Sequence, residues 1–508
     1  MGKFIVLWLM LVTVVVAGCG DSSRLTLDEK LTRQYQRYDQ AQKLVLARYQ
    51  DDRLPLEQQM ISRSEWQALL LPPDGETLSP DDLNQLKTRQ QQQVLAARAA
   101  AISASLFDFS SWRSLPAAEA QQRIKAFCEA VPKGGMLHIH PWGTLSRETF
   151  ATLLSRSNPA IPAASLYRDL SDPLGSAILY AGELTWLKSL PVQASFLTLP
   201  VADRDTLAGM GVLPAGNHPF ERFEAVFNFV GLVMGGGWEN VVTAYEEFAA
   251  RAVRDGVQYV EFTESMTPEE LPRYVQLADR LASQYGLTVR FNVAYFRTAS
   301  AASQNGAVKT MLKQMDIPLL TGIDLLANEL HAPALETGQA VYGPVMAANA
   351  LNGGRWRRTM HAGELGDVRN PRDALLLGSE RLGHGVRLME DPVTLQYASN
   401  RQIPIEINLT SNLKLRGVKE IGAHPFLTYL RMGLPVSLST DDEGIFAIDI
   451  NDECRLAVGQ TDLTYHEYKQ MAFNSLRSSF APADLKQRLL QELQDRFQRF
   501  EQQQNLKQ

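Results

Sequence analysis

Residues 136–140 read Met-Leu-His-Ile-His, and residues 436–442 read Val-Ser-Leu-Ser-Thr-Asp-Asp. Each is a short apolar run that ends in side chains able to bind a metal. Strand side chains alternate faces, so His138 and His140 point to one side. From Val131 onward, short apolar runs of this kind alternate with amphipathic helical stretches. The candidate strands are 136–140, 258–263, 288–294, 320–326, 358–361, 381–384, 404–409 and 435–440. That alternation is the mark of parallel βαβ units. Eight units in one series predict an α/β fold, a closed (β/α)8 TIM barrel, with its site at the C-terminal ends of the strands. A doubly wound open sheet is the alternative. It lacks a phosphate-binding turn, because Gly235–Gly237 has no Lys-Ser/Thr continuation.

The chemistry-bearing residues fall at those strand ends. His361 ends the fifth strand, His384 the sixth, and Asp441 and Asp442 follow the eighth. Closing the barrel sets strand eight beside strand one, and so sets Asp441 beside His138 and His140. His361 reaches the same point from across the barrel. Three imidazoles and one carboxylate suit Zn²⁺ or a similar divalent ion, one per chain, with room left for water.

These residues sit in longer matches: PKGGMLHIH (132–140), GIDLLANE (322–329), HAGE (361–364), GHG (383–385), TSN (410–412) and HPFLTYLRMGLPVSLSTDD (424–442). In content and order they resemble the adenosine deaminase family of metal-dependent hydrolases. The resemblance implies zinc on His138, His140, His361 and Asp441, with His384 as base or electrostatic partner to the attacking water. It makes Glu364 the proton donor to the purine ring and Asp442 a hydrogen-bond partner of the ring's five-membered part. The implied reaction is deamination of adenosine, or a related 6-aminopurine nucleoside, to inosine and ammonia. Hydrolysis of another amino- or amide-bearing ring is an alternative, as is a non-catalytic binding or signalling protein on the same fold.

The chain departs from the family pattern at three places. Trp142 stands where the family carries an acid that contacts ribose, Ala327 replaces a glycine at the pocket, and Glu443 replaces a proline after the aspartate pair. Trp142 and Ala327 are therefore expected against the substrate. Asp324 and Glu329 are candidates for supporting hydrogen bonds. His424 is expected to be structural, and His218, His331 and His466 to be surface or supporting groups. Phe220, Phe223 and Phe227 lie at helical spacing, which by default means core packing, though the resemblance places part of that helix over the pocket.

The rest of the chain reads as an address and an extension. Lys3 precedes an apolar run from Phe4 to Ala17, too short to span a bilayer, and Val16-Ala17-Gly18-Cys19 resembles a bacterial lipobox. The expected organisation is a lipoprotein signal peptide at 1–18, a helical N-terminal extension at 19–130, and the barrel with C-terminal helices at 131–508. Cys19 would carry the lipid, placing an exported protein on a membrane of the bacterial cell envelope. Together with the export signal, the extension resembles the secreted growth-factor-like branch of the family. It is either a cap between lipid and barrel or the surface of a homodimer. Cys128 and Cys454 either pair or stay as buried thiols. A net charge of −6 without a basic stripe argues against nucleic acid, and 45% apolar residues argue against disorder.

Overall fold

The structure is a computed structural model and describes residues 25–171, 178–314, 316–330 and 334–505. The signal-peptide and Cys19 expectations, and His331, lie outside these residues. Eight strands pair in chain order as one parallel sheet: β1 (Gly134–Ile139), β2 (Val257–Glu264), β3 (Thr288–Phe296), β4 (Leu320–Leu326), β5 (Arg357–Ala362), β6 (Arg381–His384), β7 (Ile405–Ile407) and β8 (Val436–Leu438). A parallel bridge between Ile139 and Asp441 closes the ring, and the Asp441 N–H donates to the His138 carbonyl at 3.2 Å. The fold is the expected (β/α)8 barrel with N-terminal helices.

Covering helices bury the strands on their outer face, which is why the runs read as nearly continuous apolar stretches. Two strands are shorter than their apolar runs. Leu409 opens a helix (Leu409–Lys414) instead of ending β7. Asp441 holds φ at +60°, which turns the chain out of β8.

The barrel interior carries charge. Arg381 is fully buried between Glu261 at 2.7 Å and Glu406 at 2.6 Å, with the Phe480 ring 3.6 Å from its guanidinium carbon. Charges that far from water persist only when paired.

The extension contributes α1 (Leu27–Tyr49), α2 (Pro80–Ser103) and α3 (Ala117–Ala130). A capping box between Thr26 and Glu29 starts α1, and Leu27, Leu31, Tyr38, Ala41, Val45 and Tyr49 form its buried stripe. That stripe rests on the helices outside the barrel. The Tyr38 ring lies 5.2 Å from Tyr397 edge-on, and the Gln42 amide donates to the Leu375 carbonyl at 2.7 Å. Two glutamines of α2 supply further anchors, Gln90 donating to the Pro392 carbonyl and Gln93 to the Met432 carbonyl. A Cys128–Cys454 disulfide ties α3 to the helix Ile450–Gln460. Residues 25–130 thus form a belt on the barrel's flank.

Between β1 and β2, a helical insertion ends in α4 (Phe220–Met234) and α5 (Trp238–Arg254). The α4 helix lies over the barrel mouth.

Candidate active site

At the C-terminal end of the barrel the structure brings together His138, His140, His361, His384, Asp441, Asp442 and Glu364. His138 is the last inward residue of β1. His140 lies one residue past the strand end, yet its ring centroid stays 5.2 Å from that of His138. His140 Nε2 lies 3.2 Å from His361 Nε2 and 3.3 Å from Asp441 Oδ1. His138 Nε2 is buried, 3.6 Å from the same Asp441 oxygen, and has no hydrogen-bond partner among the described residues.

An orphaned ring nitrogen beside two more imidazoles and a carboxylate is the donor set of a divalent ion. The far nitrogens fit the same reading. His138 Nδ1 bonds Glu406 Oε2 at 2.8 Å, and His361 Nδ1 bonds Asp324 Oδ1 at 3.1 Å. Carboxylates behind metal-facing histidines fix the tautomer and the ring plane.

The orientation of His384 follows from a chain of hydrogen bonds. The Phe426 N–H donates to His424 Nδ1 at 3.2 Å. His424 is buried, which pushes its pKa down to about 3 and keeps it neutral. Its proton is therefore on Nε2, donated to Asn412 Oδ1 at 3.0 Å. The Asn412 amide is then turned to donate to His384 Nδ1 at 2.9 Å. Burial, with neighbouring imidazoles, also holds His384 neutral. Neutral His384 thus carries its proton on Nε2, which faces Glu364 Oε2 at 3.7 Å and Asp441 Oδ2 at 3.9 Å.

Glu364 is held by its loop. Glu329 accepts the Gly363 N–H at 2.8 Å, the Glu364 N–H at 2.9 Å and the Asn370 amide at 2.8 Å. Burial, and then the negative charges of Asp441 and Glu329, push the Glu364 carboxyl well above the usual carboxylate range. Asp442 is raised in the same way by burial and by Asp441, and its Oδ1 has no partner among the described residues.

These groups form the inner end of a cavity of about 400 Å³. Its outer wall is largely apolar and includes Trp142, Phe220, Phe223, Phe227, Met234 and Phe296. Trp142 is thus at the pocket, as expected, and so is the helix with the three phenylalanines. Next to Trp142, Gly143 leaves room for the Asp442 side chain: a Cβ there would lie 1.6 Å from Asp442 Oδ1 and would force that carboxyl to move. Glu443 has a structural reason to replace proline. It accepts from Arg251 at 2.8 Å and from Thr440 at 2.9 Å, while Arg251 also donates to the Thr144 carbonyl at 2.7 Å. Those bonds tie the Trp142 turn to the Asp441–Asp442 turn.

Ala327 also lines the cavity, and its φ is +78°. An L side chain in that region is strained by about 1–2 kcal/mol. Ala327→Gly is expected to stabilise the protein by about 1 kcal/mol, since glycine's greater freedom when unfolded offsets part of the gain. The readout is a higher Tm; a lower Tm would show that the alanine is not strained.

Two expectations need correction or sharpening. His218 is buried, not at the surface, with Nδ1 on the Tyr180 hydroxyl at 2.5 Å and Nε2 on the Pro214 carbonyl at 3.0 Å. His424 is structural in a specific sense, since it orients His384 through Asn412. Glu406, Asn412 and Gly143 were missed. Glu406 left a signal, a charge inside the apolar run Ile405-Glu406-Ile407, and Asn412 stands in the TSN match at 410–412.

A family profile described as "Adenosine deaminase" matches residues 187–496. The chain belongs to the adenosine deaminase family. An adenosine deaminase of Shigella flexneri serotype 5b (strain 8401) is 29% identical over 257 residues, 47% of this chain and 72% of the relative. Two solved structures share the fold of this deaminase. One is an amidohydrolase from Burkholderia ambifaria with bound Zn, with 18% identity and TM-score 0.56 over 76% of this chain and 96% of that one. The other is the Arabidopsis N6-mAMP deaminase, with 20% identity and TM-score 0.53 over 73% of this chain and 99% of that one. Membership of this family makes the protein a metal-dependent deaminase of the hydrolase class.

Proposed function

We propose that this deaminase converts adenosine, or a related 6-aminopurine nucleoside, to the 6-oxo product and ammonia. The observation that carries the reading is the convergence of His138, His140, His361 and Asp441 with His384 and Glu364 at the inner end of one largely apolar cavity. The first four residues would hold a divalent ion, zinc in our reading. Such an ion, when bound, lowers the pKa of a water molecule toward neutrality and so makes a nucleophile available at neutral pH.

The protein's own groups do the rest. Glu364, kept protonated by burial, donates to the ring nitrogen beside the amino-bearing carbon and makes that carbon electrophilic. His384 presents Nε2–H to the cavity, which favours the electrostatic one of its two expected roles: it steadies negative charge growing on the attacking oxygen. Asp442, with a buried and unpartnered oxygen, accepts from or donates to the five-membered part of the ring according to its protonation. Trp142 offers its flat face to the substrate. One water enters and one ammonia leaves, and the water's two protons end on the ring nitrogen and on ammonia.

Incubation of zinc-loaded protein with adenosine, followed by the ultraviolet change to inosine, tests the reading. No turnover of adenosine, 2′-deoxyadenosine or another 6-aminopurine nucleoside would overturn it.

We also propose that the mature chain is exported and starts at a lipid-bearing Cys19. The support is the lipobox-like ending of the apolar N-terminal run, together with the Cys128–Cys454 pair, since structural disulfides belong to oxidising compartments. Cys19→Ser is expected to move the protein from the membrane fraction to the soluble one or to block processing. Wild-type protein recovered wholly from the cytoplasm would contradict this.

A further inference from the structure

At the N-terminal end of the barrel, opposite the deaminase site, lie two adjoining hollows of about 650 and about 600 Å³. Arg357, Arg477, Ser479, Phe480 and Lys486 line both. Arg357 and Arg381 open β5 and β6 there, and Pro404 and Pro435 immediately precede β7 and β8. Arg477 closes the helix Tyr465–Arg477, and Lys486 stands in the first turn of the helix Ala483–Asn505.

The chain carries a net charge of −6, yet seven cations and one carboxylate line these hollows. Three of the cations are answered by acids outside the lining. Arg381 has Glu261 and Glu406, Arg401 has Asp39 at 2.6 Å, and Arg355 has Asp316 at 3.3 Å. Arg357 and Arg358 share Glu380, at 3.0 and 3.2 Å. Arg477 lies against the Phe473 ring, and Lys486 donates to the Arg477 carbonyl at 2.9 Å; neither has an ion pair among the described residues. Four cations thus gather around one carboxylate. Burial, and then Arg357 and Arg381, push the Lys486 pKa below the ordinary lysine value despite the attraction of Glu261. Like charges held together this way create a field that draws in an anion.

A second feature belongs to the same space. Asn474 is only 6% exposed and lines the second hollow, and its Nδ2 has no hydrogen-bond partner among the described residues. A buried amide donor is costly to leave unpaired, and here an acceptor can enter beside it.

The donors select the anion. Guanidinium forks match the oxygens of a phosphate, and an ammonium adds a compact charge. A monocarboxylate would answer one of the three excess charges. A phosphate group carries about −1.5 to −2 at neutral pH, so two linked phosphates answer all three.

We propose that the two hollows form one anion site that takes a small molecule bearing two linked phosphates, held by Arg357, Arg477 and Lys486, with Asn474 Nδ2 donating to a phosphate oxygen. The site lies at the opposite strand ends from the metal-facing residues, so this proposal and the deaminase reading fail independently.

The test is calorimetric titration of the full, zinc-loaded chain with pyrophosphate, inorganic phosphate and sulfate in turn, at one fixed salt concentration. Pyrophosphate is expected to bind one per chain, at least ~10-fold more tightly than phosphate or sulfate, because it engages more charged donors. Asn474→Ala should weaken pyrophosphate roughly 10-fold, the loss of one hydrogen bond to a charged group. Arg477→Gln with Lys486→Gln should weaken it at least ~10²-fold, the loss of two. Both variants should keep the wild-type metal content. Pyrophosphate also binds divalent ions, and the double variant exposes that case: binding that persists there belongs to the metal and overturns the proposal. So does wild-type binding no tighter for pyrophosphate than for sulfate.

A second measurement needs no variant. Pyrophosphate should protect Lys486 from an amine-acylating reagent, read by peptide mass spectrometry, while exposed lysines elsewhere react as before. Equal labelling of Lys486 with and without saturating pyrophosphate would place the anion elsewhere and overturn the proposal.

Discussion

His138→Ala is expected to lose bound metal and turnover together. In wild type the ring is held from behind by Glu406 at 2.8 Å, and its other nitrogen has no partner among the described residues. Truncation removes that donor nitrogen from the centre of the site. It does not strand Glu406, which still accepts from Arg381 at 2.6 Å and from Thr359 at 2.9 Å. The stability cost should therefore stay near that of one weakened buried bond, about 1–3 kcal/mol. A folded variant, judged by its Tm, with metal well below one ion per chain and no measurable deamination is the expected outcome. Full metal occupancy by elemental analysis in that variant would move the ligand set elsewhere.

Glu364→Gln is the second large effect, and it should leave the metal in place. The substitution keeps the side chain's shape, and the backbone N–H bonds to Glu329 that position the loop do not involve the side chain. What disappears is the transferable proton. A neutral amide can still donate a hydrogen bond to the ring nitrogen, so purine binding should persist, while kcat falls by at least ~10²-fold, the scale of a lost general acid. Near-normal turnover would place the proton donor on another carboxyl, with Asp442 next in line because it too is raised by burial and has an unpartnered oxygen. Measuring both kcat and inhibitor binding separates a loss of chemistry from a loss of the pocket.

Much of this enzyme's fold lies within short windows of its chain. The eight apolar runs and the helical spacings between them are local patterns, and β4 and β6 occupy the residues their runs predict. The runs overshoot at β7 and β8, because apolar character continues into residues whose backbone has already turned. Leu409 is apolar in a helix, and Thr440 precedes an aspartate at positive φ. The metal-facing residues were legible for a related reason. Ligating side chains must sit at strand ends, and His138, His140, His361 and Asp441 are rare residue types at positions the periodicity already marks.

The partners behind those residues were not legible. Glu406 interrupts an isoleucine-rich run, and that pattern alone equally describes a strand with one wet face. Only barrel closure puts its carboxylate inside, within reach of His138 and Arg381. The proton on His384 follows from Phe426 through His424 and Asn412, a path that exists only when the ends of β6, β7 and the segment before β8 meet. The resting place of the extension is likewise a matter of two surfaces, since the stripe of α1 is visible in its spacing but Tyr397 and Leu375, which receive it, lie more than 300 residues away. Sequence by itself determined the elements, their order, the histidines and aspartates gathered at the strand ends, and the family, because backbone periodicity and rare side chains at its nodes are local properties. The hydrogen-bond partners, the tautomer of His384, the pairing of the two cysteines and the lining of the cavity were decided by tertiary structure alone. Each depends on distances of a few ångström between residues that only closure of the barrel makes neighbours.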